Sequence, residues 1–214
     1  MKSKTSRKDN LEAARQEALA VMRRLEEEPN HVLQVATLAL QIFDELADWH
    51  RLGARDRVLL EAAACLHDVG WSVARDGVKH HKHSARLIRR QTWQHFTLDE
   101  INLVAQIARY HRKSPPKPKH RSFAALSAES QRKVQMLAAL LRVADALDRR
   151  HLQIVRRVYA HMRDHALIFE VDASRPLSLE VAAGHKKGDL LRQITRRELV
   201  FRWTGADKAA RARN

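Results

Sequence analysis

The 214-residue chain has a single cysteine, Cys65, so it has no intramolecular disulfide framework. A reducing compartment, the cytoplasm, is its expected home. No apolar run approaches the ~20 residues that a membrane span needs. Met1 to Lys8 lacks the apolar stretch of a signal peptide, so none is expected. Aromatic residues make up only 5%, which argues against a surface built to stack single-stranded bases. Acidic side chains are outnumbered: 25 Asp and Glu against 40 Lys and Arg leave a net charge of +15. That excess draws anionic partners, such as a phosphate-bearing substrate, polyphosphate or nucleic acid. A solvated basic surface with two basic ends accounts for the charge equally well. The length fits one compact domain, or one plus a small appendage, and is enough to bury a core without staples. Homo-oligomerisation is left open.

Apolar residues recur at helical spacing through most of the chain. Helices are expected over about Asp9–Glu28, His31–Arg51, Arg55–Asp68, His83–Gln91, a segment opened by the capping box Thr97-Leu98-Asp99-Glu100, and Ala128–Arg150 behind the N-cap Ser127. Pro29 and Asn30 are expected to end the first helix and cap the second. Gly70 is expected just past the end of the third, in the left-handed conformation that glycine takes without strain. Ser72 to Lys82, with Gly77, reads as a polar loop. Pro115, Pro116 and Pro118 make Lys113 to Arg121 another loop. After Gln153 the texture turns to strands at Ile154–Ala160, Ala166–Val171 and Leu177–Val181, a helix at Gly188–Thr195 and a last strand at Glu198–Trp203. The expected architecture is mainly α: a helical domain over 1–152, a small β/α subdomain over 153–203, and a basic tail over 204–214.

Several metal-competent side chains fall on or beside the inward stripes. His31 stands one turn before Val35. His67 and Asp68 follow the small apolar run Ala62-Ala63-Ala64-Cys65-Leu66. His111 continues the stripe Ile101, Val104, Ile107, Ala108. Asp145 sits one turn after Leu141. The cluster His80-His81-Lys82-His83 is expected to send one or two imidazoles to the same place. Each residue alone has a plain structural reading: a satisfied core histidine, an exposed basic cluster, or an acid paired with Arg142 or Arg149. Together, from five segments, they argue for a site. Imidazole and carboxylate without thiolate suit one or two divalent ions among Mn, Mg, Fe, Co, Ni and Zn. Arg109, Lys113, Arg142 and Arg149 flank these positions as candidate phosphate ligands.

The order His, His-Asp, Asp at these spacings resembles the HD-domain metal-dependent phosphohydrolase superfamily. More closely, Leu66-His67-Asp68-Val69-Gly70-Trp71, His80-His81-Lys82-His83-Ser84, Ala108-Arg109-Tyr110-His111-Arg112-Lys113 and Leu140-Leu141-Arg142-Val143-Ala144-Asp145-Ala146-Leu147-Asp148-Arg149 resemble the C-terminal HD region of the exopolyphosphatase/guanosine pentaphosphate phosphatase family. The resemblance runs from about Pro29 to Trp203. It implies an HD helical bundle with His31, His67, Asp68 and Asp145 as metal ligands, and Asp68 and His67 as catalytic residues. It also implies that His80, selected over His81 by the small Ser84 four residues on, joins His111 at a second ion that Asp68 bridges. The chain shows no Gly-rich phosphate loop of the family's actin-like ATPase domains. The resemblance therefore implies a metal-dependent phosphohydrolase module without that exopolyphosphatase machinery, or a non-catalytic module that binds polyphosphate or nucleic acid.

Overall fold

The computed structural model describes residues 4–74 and 78–205; Gly77 of the expected loop and the tail from 206 onward lie outside the described residues. Helices α1 (Lys4–Leu25), α2 (Pro29–Glu45), α3 (Ala47–His50) and α4 (Ala54–Leu66) are followed by a 3-10 turn, Val69–Val73. Then come α5 (His80–Arg90), α6 (Leu98–Arg109), α7 (Arg121–Ala124) and α8 (Ala128–Leu147). Strands β1 (Val155–Met162) and β2 (Ala166–Ala173), helices α9 (Ser178–Lys187) and α10 (Asp189–Thr195), and strand β3 (Glu198–Trp203) complete the described chain. The protein is thus mainly α with a small C-terminal appendage. None of the described helices is long and apolar enough to cross a membrane.

Helix α2 is central. Its buried stripe, Val32, Val35, Ala36, Ala39, Ile42 and Phe43, packs against α4, α8 and β1. The small residues Ala62, Ala63 and Ala64 let α4 sit close to its neighbours with every side chain from Val58 to Leu66 buried. Cys65 behaves as one more small apolar group, its thiol pushed up to about 12 chiefly by burial. In the appendage β1 and β2 pair antiparallel and β2 and β3 parallel, in the order β1-β2-β3. Leu167, Phe169, Val171 and Ala173 alternate inward along β2 and join the core of the helical body.

Some boundaries differ from the sequence expectation for simple physical reasons. Pro29 lies in the first turn of α2, where its missing N–H has no partner to lose, and Glu28, not Asn30, is the capping residue. The expected strand at Leu177–Val181 is the start of α9. Its buried positions, Leu177, Glu180 and Gly184, run at helical spacing. The acid in the middle disguised the stripe. Glu180 is 1% exposed because Arg150 holds it through two hydrogen bonds of 2.8 and 2.9 Å. A parallel β2–β3 pair also needs a crossover connection, which α9 and α10 supply.

Gly70 does not end α4. It lies inside the 3-10 turn, and its φ is outside the left-handed region. Close approach explains the glycine: a Cβ there would stand 2.2 Å from the His80 carbonyl oxygen and 2.5 Å from the Ser84 amide nitrogen. Its own amide donates to Ser84 Oγ at 3.0 Å, and that hydroxyl donates to the His80 carbonyl at 3.1 Å. The turn after Asp68 is thereby docked on the first turn of α5. Gly70→Ala is expected to cost about 2–3 kcal/mol, because backbone atoms must separate to admit the methyl group. Chemical denaturation measures this; a loss under ~0.5 kcal/mol, the range of an ordinary surface change, would show that the contact yields freely.

Candidate metal centre

The end of α4 delivers His67 and Asp68, the start of α2 His31, the start of α5 His80, the end of α6 His111, and the last turn of α8 Asp145. All are buried, between 0% exposed for His67 and 8% for Asp68. Two overlapping groups offer ligand atoms within 4.8 Å of one another: His31, His67 and Asp145, and His67, Asp68 and His111. His67 belongs to both. His80 reaches the centre through Asp68, its Nε2 lying 3.2 Å from Asp68 Oδ1, while His111 Nε2 lies 3.4 Å from the same oxygen.

The imidazoles are oriented from behind. Nδ1 of His67 donates to the Ala64 carbonyl, and Nδ1 of His111 to the Ala108 carbonyl, each at 2.7 Å. A carbonyl can only accept, so the proton is on Nδ1 and the Nε2 lone pair faces the centre. His31 Nδ1 donates to Asp148 Oδ2 at 2.9 Å. Asp148 also accepts from the Gln153 amide at 2.8 Å and from Gln153 Nε2 at 3.1 Å, so it is held as firmly as the ring it holds. This carboxylate–histidine and carbonyl–histidine backing is the arrangement that presents imidazole to a metal. Nε2 of His31 and of His67 accept no hydrogen bond although both are buried. Unsatisfied buried acceptors are costly, and here they point at one space.

Charge points the same way. Asp68, Asp145 and Asp148 are all buried. Burial alone would push the Asp68 carboxyl up, but His67, His80 and His111 hold it well below the usual carboxylate range. Burial likewise pushes the Asp145 carboxyl up, but Lys187, then His111 and His67, together bring it below its ordinary value. Burial, with His67, keeps His111 well below its ordinary value and therefore neutral, a condition for donating a lone pair. The donor set, the orphaned nitrogens and the excess of carboxylates fit a divalent cation bound by imidazole nitrogen and carboxylate oxygen.

The centre opens into a cavity of about 740 Å³. Buried His31, Asp68, His80, His111 and Asp145 line it together with Arg112, Lys113, Arg149 and Lys186. Glu26, Glu27 and Glu28 also line it. Of the four cations selected from sequence, Lys113 and Arg149 stand on this cavity. Arg109 instead lies over the Tyr110 ring, 5.4 Å from its centroid. Arg142 touches the wall, but it is 3% exposed and committed to structure: it donates to the Tyr110 carbonyl at 3.0 Å, the Lys187 carbonyl at 2.8 Å and Asp189 Oδ1 at 2.7 Å. The acid expected to pair with Arg142 or Arg149, Asp145, pairs with Lys187.

Among the three neighbouring histidines, His80 stacks on Trp71, with centroids 4.1 Å apart, and lies 3.1 Å from Arg112 Nη1. His81 is buried behind it, pushed down to about 4 by burial and then by His80 and Arg112; His83 is half-buried. Asp148 went unassigned in the sequence, although its i, i+3 spacing from Asp145 was a usable signal. Lys187, 42 residues from Asp145, had none. His151 also escaped notice: its ring stacks on His31 at 3.6 Å, and its Nδ1 lies 2.5 Å from Glu28 Oε2.

The sequence model of the family described as Ppx/GppA phosphatase, domain III, matches residues 15–188. That span contains every residue of the centre, from His31 to Lys187. Because Asp148 aims His31, Asp148→Asn should weaken divalent-metal binding by about 10- to 100-fold with helicity retained. Metal titration of chelator-treated protein is the measurement; an unchanged affinity would mean that His31 needs no such backing.

Proposed function

The chain belongs to the Ppx/GppA phosphatase family through its domain III, and on that premise we propose that it is a metal-dependent phosphohydrolase acting on a phosphate- or pyrophosphate-bearing substrate. The observation that carries this reading is His67, whose unpartnered Nε2 is common to the two ligand groups. His31, His67, Asp68 and Asp145 would hold one ion, and His80 and His111 a second one that shares Asp68. A divalent ion there supplies a Lewis acid for a phosphoryl oxygen and a lowered pKa for attacking water.

The protein's own residues do the rest. The backbone carbonyls of Ala64 and Ala108 and the Asp148 carboxylate fix the tautomers and aim of His67, His111 and His31. Lys113 and Arg149 stand where an incoming phosphate would meet positive charge, with Arg112 beside His80. Arg142, kept in the notional phosphate set by sequence alone, is better read as the anchor of the α9–α10 junction. The ligand side chains are buried, which strengthens the charge interactions among them. Nucleotides, alarmone-like pyrophosphates and polyphosphates are the substrate classes to try.

The competing reading is a non-catalytic module that binds polyphosphate or nucleic acid. It draws on exposed Lys82, Arg86, Arg90, Lys117, Lys119 and Arg121 outside the cavity. Binding at such a surface should weaken steeply with salt, because it is mostly charge neutralisation. Hydrolysis separates the two. With Mn²⁺, Mg²⁺, Co²⁺ or Ni²⁺, wild type should turn over at least one substrate of the panel and Asp68→Ala none. Losing a metal ligand removes several kcal/mol of transition-state stabilisation, at tenfold in rate per ~1.4 kcal/mol. Salt-sensitive polyphosphate binding with no turnover by wild type under any metal would favour the binding module.

A further inference from the structure

Lys187 is the last residue of α9, and its ammonium contacts Asp145 Oδ2. That oxygen belongs to a carboxylate whose other oxygen lies 3.8 Å from His31 Nε2, inside one of the two ligand groups. Among the described residues, Lys187 is the only lysine or arginine that contacts Asp68, Asp145 or Asp148. Its backbone is immobilised: Arg142 Nε donates to its carbonyl, and the next amide, of Gly188, closes the helix on the Gly184 carbonyl at 2.8 Å. The side chain is less confined. It is 21% exposed, it lines the cavity, and it hangs on a flexible four-carbon stem.

We propose that Lys187 is a tethered counter-cation which a divalent ion displaces from Asp145, and which then turns to the phosphate entering the cavity. The inference rests on the metal reading of the centre and adds an exchange to it. Lysine suits that role where arginine does not. Its ammonium is a compact point charge that leaves a carboxylate without breaking a bidentate fork, and it is a good phosphate ligand. The nearby Arg142, locked by three acceptors, shows the opposite design: it keeps the Lys187 backbone in place while the ammonium moves. The exchange also keeps Asp145 from standing buried and uncompensated before the ion arrives, which would be strongly destabilising. On loading, the ammonium is released into the cavity that Arg149 and Lys186 also line and adds to the positive charge that meets an anion.

The test uses full-length, chelator-treated protein and two probes, Mn²⁺ and inorganic phosphate. Lys187→Met keeps the stem and removes the charge. It should bind Mn²⁺ about tenfold more tightly than wild type, the scale of one charge-assisted hydrogen bond no longer in competition. The Mn²⁺-loaded variant should bind inorganic phosphate about tenfold more weakly than loaded wild type. Lys186→Met, an equal charge change on the same cavity, should leave Mn²⁺ affinity as it is. Opposite signs for metal and phosphate cannot come from partial unfolding, which weakens both. Unchanged or weaker Mn²⁺ binding by Lys187→Met overturns the exchange. So does an equal gain in Lys186→Met, which would be a field effect, or an unchanged phosphate affinity. If neither wild type nor Lys187→Met binds Mn²⁺, Co²⁺ or Zn²⁺, the metal reading itself falls, and the exchange with it.

Discussion

Two carboxylates, Asp68 and Asp145, are buried in a helical core, and much of the structure follows from what that burial demands. A carboxylate removed from water is costly unless a cation or several donors compensate it. The imidazoles around them are aimed by the acceptors behind them, and burial keeps His111 neutral. They present lone pairs, and the carboxylates present negative charge. Such a donor set fits a divalent cation. The local fold obeys this requirement. Helices α2, α4, α5, α6 and α8 each bring an end or a terminal turn to the same point, where side chains can converge without interrupting a helical hydrogen-bond ladder. Gly70 lets the chain turn tightly enough after Asp68 for α5 to place His80 beside it.

The C-terminal appendage takes part in this arrangement. Its sheet shares the helical core, and β1 lies against α2. Two ion pairs fasten its helices where they matter: Arg150 with buried Glu180 near the start of α9, and Arg142 with Asp189 just past its end. Arg142 also spans to the Tyr110 carbonyl, next to His111. The part of the cavity wall that carries Lys187 is therefore held by the same buried guanidinium that stabilises the junction. A cation chosen by sequence as a phosphate ligand has become the structural support for another.

Much of this inward cluster of histidines and acids is legible in the sequence. His31, His67, His111 and Asp145 continue apolar stripes, and polar residues at inward positions are rare enough to notice. The capping box at Thr97 and the N-cap at Ser127 are local hydrogen-bonding patterns, and both stand in the structure, with Thr97 Oγ1 accepting from Glu100 and Ser127 Oγ from Ser130. Failures came where a distant partner overrides a local pattern. Leu177–Val181 alternates like a strand, yet Arg150, 30 residues away from Glu180, makes an acid acceptable on the buried face of a helix. Gly70 looked like a helix terminator because glycine usually is one. The true reason is a backbone contact with residues 10 and 14 positions further on.

What the sequence by itself determined is the mainly α architecture, the family, and the set of histidines and acids turned inward, because helical periodicity and motif spacing are properties of neighbouring residues. Tertiary structure alone decided that Asp148, far along the chain, aims His31; His67 and His111 are aimed by carbonyls three residues back in their own segments, Ala64 and Ala108. It also decided which cations serve the cavity. Arginine and lysine look alike in a sequence, and their roles are assigned by whatever acceptor lies within reach. Arg142 found two carbonyls and Asp189; Lys187 found Asp145. Those distances are set by the packing of α9 on α8, and no local pattern in either segment encodes them.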